Sequence, residues 1–279
     1  MPTPLDPSNP MRSENVRIDL DGLNSPIVMS VHKEDDRVSK EILEHGVWEA
    51  FESAIVVKRL RSGAVFVDVG ANIGYYTLLA SSLVGAQGHV LAFEPERKNF
   101  DLLRDNSSRY GAANIRVVHA GLSDEEGDGL LYLCKDNLGD HRMFDDEARP
   151  HQRIKLIVGD GLLQRECDRV DFLKIDTQGA EANVVAGLQE TIAVNRDHLD
   201  MIIEFWPYGL IQAGRSARAL LNLLEPFRFD LFVIDHVQHR LLPTDCAELL
   251  DAAENSNLLP KHKGFINLFL TATSAEDLL

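Results

Sequence analysis

Hydrophobic positions along the chain follow two alternating rhythms. Short apolar runs rich in β-branched residues, at Val65–Val69, His89–Phe93, Ile115–Ala120, Val170–Ile175 and Met201–Phe205, have the length of strands buried on both faces. Between them apolar residues recur at helical spacing over Tyr76–Leu83, Lys98–Tyr110 and Ala180–Val194. Strands alternating with helices predict an α/β fold, a mostly parallel sheet with right-handed crossovers and helices on both faces. Asp230–Ile234 and Phe265–Thr271 follow a further helix, Ser216–Leu224, and are expected to pair as an antiparallel edge. Leu130–Cys134 and Ile154–Val158 read as two more strands flanking a polar stretch, an insertion spanning about 130–158.

Ahead of this alternation, Val16–Leu20 and Pro26–Val31 flank the turn signal Asp21-Gly22, and Lys40–Leu60 keeps helical spacing through Ile42, Val47, Phe51 and Ile55. Residues 16–62 are therefore expected to form an N-terminal cover over one domain, 63–279, which has no internal repeat. The proline-rich start lacks the basic and apolar segments of a signal peptide, so residues 1–15 read as a disordered leader.

Composition narrows the function classes. Lys plus Arg number 28 against 44 Asp plus Glu in 279 residues, and a formal net charge of −16 argues against a nucleic-acid partner. No apolar run approaches the ~18 residues of a membrane span. The three cysteines, Cys134, Cys167 and Cys246, are too scattered for a zinc site or a disulfide framework, and a cytoplasmic location is expected. No pair of histidines with a carboxylate has persuasive metal-ligand spacing, so no metal is assigned.

The chemistry concentrates at strand ends. After Val65–Val69 come Gly70 and Gly74, which permit a sharp turn and a close approach of ligand to backbone. Glu94 lies twenty positions after Gly74, where the tip of the next parallel strand comes beside the first and its carboxylate can accept ribose hydroxyls. A dinucleotide cradle would need glycines where Asn72 and Tyr75 stand, so a pyrophosphate is disfavoured. The run Asp68-x-Gly70-x-Asn72-x-Gly74 resembles motif I of class I S-adenosylmethionine-dependent methyltransferases. Asp171-Phe-Leu-Lys-Ile-Asp176-Thr-Gln178-Gly-Ala-Glu181 is similar to the Lys-Ile-Asp-x-Glu-Gly-x-Glu signature of the FkbM-type methyltransferases, with Phe93-Glu94-Pro95 between the two blocks in the family's order. Gln178 departs from the pattern, which has Glu, and this puts an acid role at that position in doubt.

The resemblance runs from about residue 45 to the C-terminus and implies a Rossmann-like sheet with S-adenosyl-L-methionine as cofactor. Asp68, Gly70, Ala71, Asn72, Gly74 and Tyr75 would surround the amino-acid end of that cofactor, Glu94 and Pro95 its ribose, and Gly121 and Leu122 its adenine, with Ser123 or Asp124 reaching the exocyclic amine. Asn106 would bridge toward the adenine end, and Asp176 would meet the cofactor at the sheet's carboxyl edge. Further implied is transfer of the methyl group to a hydroxyl on a sugar, glycolipid or secondary metabolite. An in-line displacement needs alignment and a base for the hydroxyl proton; the candidates are Asp176, Glu204 and His141. Arg142 is a candidate for holding a polar part of the acceptor, and Trp206 and Tyr208 for stacking on a ring. The partner expected is thus a small hydroxyl acceptor, with a homodimer left open. Two alternatives stand beside this reading: a nicotinamide-dependent oxidoreductase on the same type of sheet, and a non-catalytic nucleoside-binding module.

Overall fold

The structure, a computed structural model, describes residues 13–276 apart from 24, 111–112, 145–147 and 256–263. An antiparallel hairpin, β1 (Ser13–Ile18) and β2 (Ile27–His32), opens the chain and is followed by helices α1 (Val38–His45) and α2 (Ala50–Arg59). The first strand begins at Ser13, inside the stretch expected to be a leader; the first twelve residues lie outside those described. The single helix expected over Lys40–Leu60 is instead two. Gly46 takes a left-handed φ of 69°, which ends α1 and turns the chain before α2.

The main alternation then runs β3 (Val65–Val69), α3 (Tyr75–Val84), β4 (His89–Phe93), α4 (Arg97–Tyr110) and β5 (Ile115–Val118). A satellite sheet of β6 (Gly121–Ser123), β7 (Gly127–Tyr132) and β8 (His151–Val158) comes next, and the expected insertion lies largely between β7 and β8. After α5 (Gly159–Glu166) the chain re-enters the main sheet as β9 (Phe172–Ile175), α6 (Glu181–Ala186), α7 (Gln189–Asn195) and β10 (Asp200–Phe205). The helix expected over Ala180–Val194 breaks between α6 and α7 at Gly187, where a Cβ would stand 2.1 Å from the Ser123 carbonyl oxygen. Close packing against the satellite sheet thus overrides helical spacing. The remainder is α8 (Pro207–Gln212), α9 (Ala217–Leu224), β11 (Asp230–Asp235), β12 (Arg240–Thr244), α10 (Cys246–Asn255) and β13 (Ile266–Thr271).

Eight strands form the central sheet in the order β12-β11-β13-β10-β9-β3-β4-β5, parallel from β10 to β5 and antiparallel beyond. The two last predicted strands do pair antiparallel, but β13 lies inside the sheet between β10 and β11. The outer edge is β12, an element the pattern did not announce. Its Pro243 cannot complete a ladder, and an edge paired on one side tolerates this.

Alternate residues of the central strands feed two cores. Val65, Val67, Val69, Leu173, Ile175 and Ile203 pack on one side, and Phe66, Val90, Phe172, Ile202 and Phe269 on the other. Full burial of such a side chain stabilises by ~1.5–3 kcal/mol. This two-sided burial fixes the register, since a one-residue slip would send each side chain to the opposite face. Registry pairs Val69 with Phe93 and Ile175, and Ile175 with Ile203, so β3, β4 and β9 finish level and β10 runs two residues further, to Phe205. From β3 the chain proceeds outward to β4 and β5, then returns to β9 on the other flank of β3. The crevice between β3 and β9 is the topological switch point, where open α/β sheets bind ligands.

Candidate functional site

At the switch point two loops cross at backbone contact. Gly70 has a φ of 84°, and a Cβ on it would lie 1.9 Å from the Asp176 carbonyl oxygen, so only glycine lets β3 turn beneath the loop leaving β9. The Gly70 and Ala71 amides both donate to the Phe93 carbonyl at 3.0 Å. Asn72 follows at φ 51°, a left-handed position that Asn tolerates, and its Oδ1 accepts the Ile73 amide. Glu94 braces the bend from β4. Its Oε2 accepts the Asn72 amide and its Oε1 the Glu96 amide, both at 2.8 Å. Burial pushes the Glu94 carboxyl up to about 8 despite these donors.

The loop after β9 is organised by Glu181, which accepts the Thr177 and Gly179 amides and the Thr177 hydroxyl. It therefore does more than complement a helix dipole; burial raises its carboxyl to about 7. Gln178 is held at φ 53°, left-handed and strained for a non-glycine residue. Its Nε2 donates to Asp176 Oδ1 at 3.0 Å and to Glu204 Oε1 at 3.1 Å. A neutral donor between two carboxylates stands where the family pattern has a third acid.

Two clefts meet over this crossing and share Gly70, Asn72, Gly139, Asp176 and Gln178. The narrower is lined by Phe93, Glu94, Pro95, Gly121 and Leu122, with Leu138, His141 and Met143 of the insertion closing over it. The wider has a volume of about 330 Å³ and takes its walls from Trp48, Asp68, Ala71, Tyr75, Tyr76, Asp140, Arg142, Lys174, Glu204 and Trp206, among others. Glu94 beside an apolar floor suits a ribose and a purine: each carboxyl oxygen holds one amide and keeps a lone pair for a hydroxyl. The chemistry of a nucleoside fits. The space in this cleft, about 60 Å³, is smaller than a nucleoside, and it is continuous with the wider cleft through the shared residues.

Electrostatics divides the candidate bases. Glu204, only 5% exposed, ends β10 with Oε1 on Gln178 and with Oε2 lacking a hydrogen-bond partner among the described residues. Burial, with the Asp176 and Glu181 charges added, drives its carboxyl well above the usual range. Asp176 bonds to Lys174 Nζ at 3.1 Å. His141 faces the narrower cleft; its Nδ1 accepts the Cys134 amide at 3.1 Å, and burial with the Arg149 charge pushes it down to about 4. The structure thus joins Asp176 to Glu204 through Gln178, while His141 shares only the narrower cleft with Asp176 and does not line the cleft of Glu204.

Other expected residues are displaced. Asn106 lines neither cleft: fully buried, it bonds the Ser30 backbone through both amide atoms and donates to the Ile73 carbonyl. In place of the expected cofactor bridge it braces the motif I loop from behind. Gly74 likewise acts on the backbone, at φ 95° as the N-cap of α3 against Leu103. Asp124, expected near an adenine amine, instead binds Asn183 and Arg215. Arg142 forms a bidentate pair with Asp140 at 2.7 and 2.9 Å and lies 4.8 Å from the Trp206 ring centroid. Tyr208 packs on Trp206 and Phe144 outside the clefts.

Two wall residues had no role in the sequence reading. Lys174 alternates onto the wide-cleft face of β9, 4.6 Å from the Tyr76 ring centroid; burial alone would lower it, but Asp176, Glu49, Glu52 and Asp68 outweigh that and keep it charged. It stood inside the quoted signature, and strand alternation was the available signal. Glu49 comes from the N-terminal cover and receives the Tyr76 hydroxyl at 3.1 Å. Nothing local in the sequence marked it.

Several known proteins are similar to the chain. Hexuronic acid methyltransferase AglP of Haloferax volcanii is 28% identical over a match covering 50% of this chain and 55% of that protein. The 31-O-demethyl-FK506 methyltransferase FkbM of Streptomyces tacrolimicus is 27% identical, covering 47% and 62%. The chain therefore spans little more than half of either relative. The crystal structure of methyltransferase FkbM from Methylobacillus flagellatus aligns at a TM-score of 0.45 and 16% identity, covering 75% of this chain and 44% of that one. A family model described as the methyltransferase FkbM domain matches residues 68–225, more than half of the chain and the stretch from the end of β3 through α9. The chain belongs to the FkbM methyltransferase family, and its cofactor is S-adenosylmethionine.

Proposed function

We propose that the protein transfers the methyl group of S-adenosylmethionine to a hydroxyl oxygen of a sugar, glycolipid or secondary metabolite. The observation that carries this reading is the junction of the two clefts over Gly70 and Asp176, with the buried Glu204 across the wider one. Glu94, Pro95, Gly121 and Leu122 would take the nucleoside, and Asp68, Ala71, Asn72 and Tyr75 the amino-acid end. S-adenosylmethionine supplies an electrophilic methyl group on a sulfonium.

The chain's own residues would align the acceptor and remove its proton. As the hydroxyl oxygen takes the methyl group, its proton would pass to Glu204 Oε2, a buried oxygen with no donor among the described residues, Gln178 engaging Oε1 alone. Its elevated pKa makes it the stronger base of the pair, whereas Asp176 is tied to Lys174. Methylation at oxygen is supported by the FkbM relative named for a 31-O-demethyl substrate, and a sugar-type acceptor by the hexuronic acid relative.

The test is incubation with methyl-labelled S-adenosylmethionine and a panel of sugars, glycolipids and polyketide alcohols, locating the label by mass spectrometry. Label on oxygen, lowered at least ~100-fold in Glu204→Gln, is expected from loss of a general base. Label on carbon or nitrogen, or full activity in that variant, would contradict the reading.

A further inference from the structure

The wider cavity has an unbalanced wall. Five carboxylates line it, Glu49, Asp68, Asp140, Asp176 and Glu204, against three cations. Of these, Arg142 is matched to Asp140 and Arg37 lies on the exposed rim, leaving Lys174 among the other four acids. The imbalance is greatest away from the cofactor crossing. Glu204 stands on β10 and Glu49 lies within 3.3 Å of Asn267 on β13, two and three strands from Gly70 at the end of β3. Neighbouring strands lie ~4.8 Å apart, so a sulfonium held over the β3–β9 crossing leaves this side to the acceptor.

Here Glu204, 5% exposed, presents Oε2 with no donor among the described residues. Burial and neighbouring acids raise both Glu49 and Glu204 well above the usual carboxylate range, so each keeps its proton until a positive charge arrives beside it. Aromatic surface completes the wall. The Tyr76 ring lies 4.6 Å from the chain's own Lys174 and the Trp206 ring 4.8 Å from its Arg142, and half-buried Trp48 adds a third ring.

We infer that the wider cavity takes an acceptor carrying a protonated amine beside the hydroxyl that is methylated, an amino sugar or amino alcohol, with Glu49 as the ammonium's partner and Glu204 facing the hydroxyl. The inference rests on the methyl-transfer reading and narrows its acceptor class. It sets the protein apart from a relative that acts on a hexuronic acid, because an acceptor carboxylate would meet acids here and lose affinity.

The test uses the full chain saturated with S-adenosylhomocysteine, whose binding is measured first by calorimetry. If that ligand does not bind, the methyl-transfer reading fails and this inference with it. Given binding, D-glucosamine, D-glucose and D-glucuronate are titrated at pH 6.5 and constant ionic strength, following ligand-observed NMR. Glucosamine is expected to bind at least ~10-fold more tightly than glucose, the equivalent of one charge-assisted contact, with glucuronate weakest. Glu49→Gln should reduce the glucosamine advantage while changing S-adenosylhomocysteine affinity less than ~2-fold, within the scatter of a surface change. Equal affinity for the three sugars, no measurable sugar binding, or an advantage unchanged in Glu49→Gln would overturn the inference while leaving the methyl-transfer reading intact.

Discussion

Glu94 Oε2 accepts the backbone N–H of Asn72 at 2.8 Å, so the acid at the tip of the second parallel strand holds the bend at the tip of the first. Spacing alone suggested that this acid and this bend grip opposite ends of one ligand. They also grip each other, which makes Glu94 a structural member of the bend before any ribose arrives. Replacing it with Gln puts an NH2 group against one of two backbone donors, at Asn72 or Glu96. One buried amide then loses its acceptor, at a cost of ~1–3 kcal/mol. Glu94→Gln should unfold at lower denaturant and bind S-adenosylhomocysteine at least ~10-fold more weakly, the loss of one good hydrogen-bonded contact. Unchanged affinity by calorimetry would remove Glu94 from the nucleoside site.

Gly70 is the second point at which the backbone decides. A methyl at this position meets the Asp176 carbonyl at 1.9 Å while φ is 84°, so both the crossing and the dihedral are lost together. Gly70→Ala should destabilise by at least ~3 kcal/mol, the range of overpacking combined with backbone strain. Gly63→Ala, also at positive φ but in open space, isolates the dihedral contribution and should cost less. Equal melting temperatures for the two variants would contradict the close crossing.

Buried acids give the fold a pH dependence. Glu94, raised to about 8, and Glu181, raised to about 7, bind protons in the folded state at pH values where the unfolded chain has released them. His236, raised by its bond to Glu52, acts in the same direction. His141, lowered to about 4, opposes them only below its ordinary value of 6.5. With more protons on the folded than on the unfolded state, stability falls as pH rises. The melting temperature of the cofactor-free protein should therefore decline from pH 6.5 to 8.5, less steeply in Glu94→Gln. A flat or rising profile would show that these groups are not protonated in the fold.

Gln178 separates two acids that would otherwise repel. Changing it to Glu removes the donor to Asp176 Oδ1 and Glu204 Oε1 and adds a third negative charge. Glu204 should then hold its proton to higher pH, moving the alkaline rise of the pH–rate profile up by ~1 unit and lowering the rate at pH 7 by up to ~10-fold. A profile that does not move would exclude Glu204 as the group being titrated.

Much of this molecule was legible in its sequence because the signals are local. β-branched runs gave β3, β4, β9 and β10, and the glycines with Glu94 marked the switch point. Membership of the FkbM family removes the nicotinamide alternative and agrees with Asn72 and Tyr75 standing where a dinucleotide site needs glycine. What escaped depends on contacts distant in sequence. Gly187 is glycine because of Ser123, Asn106 is buried because of Ser30 and Ile73, and Glu49 reaches the cavity only because the N-terminal cover folds over α3 and β13. Likewise, Asp140 and His141 are neighbours in sequence yet face different clefts, since successive side chains in the insertion diverge.

In the proposed function the nucleoside of the methyl donor lies under Glu94 with its sulfur directed over the Gly70–Asp176 crossing toward Glu204. A crystal structure of the protein with S-adenosylhomocysteine tests it most directly. Ribose hydroxyls are expected on the Glu94 carboxylate, adenine against Leu122 with the insertion drawn back, and the sulfur opening into the wider cavity. Density for the ligand in any other pocket, or a sulfur turned away from that cavity, would contradict it.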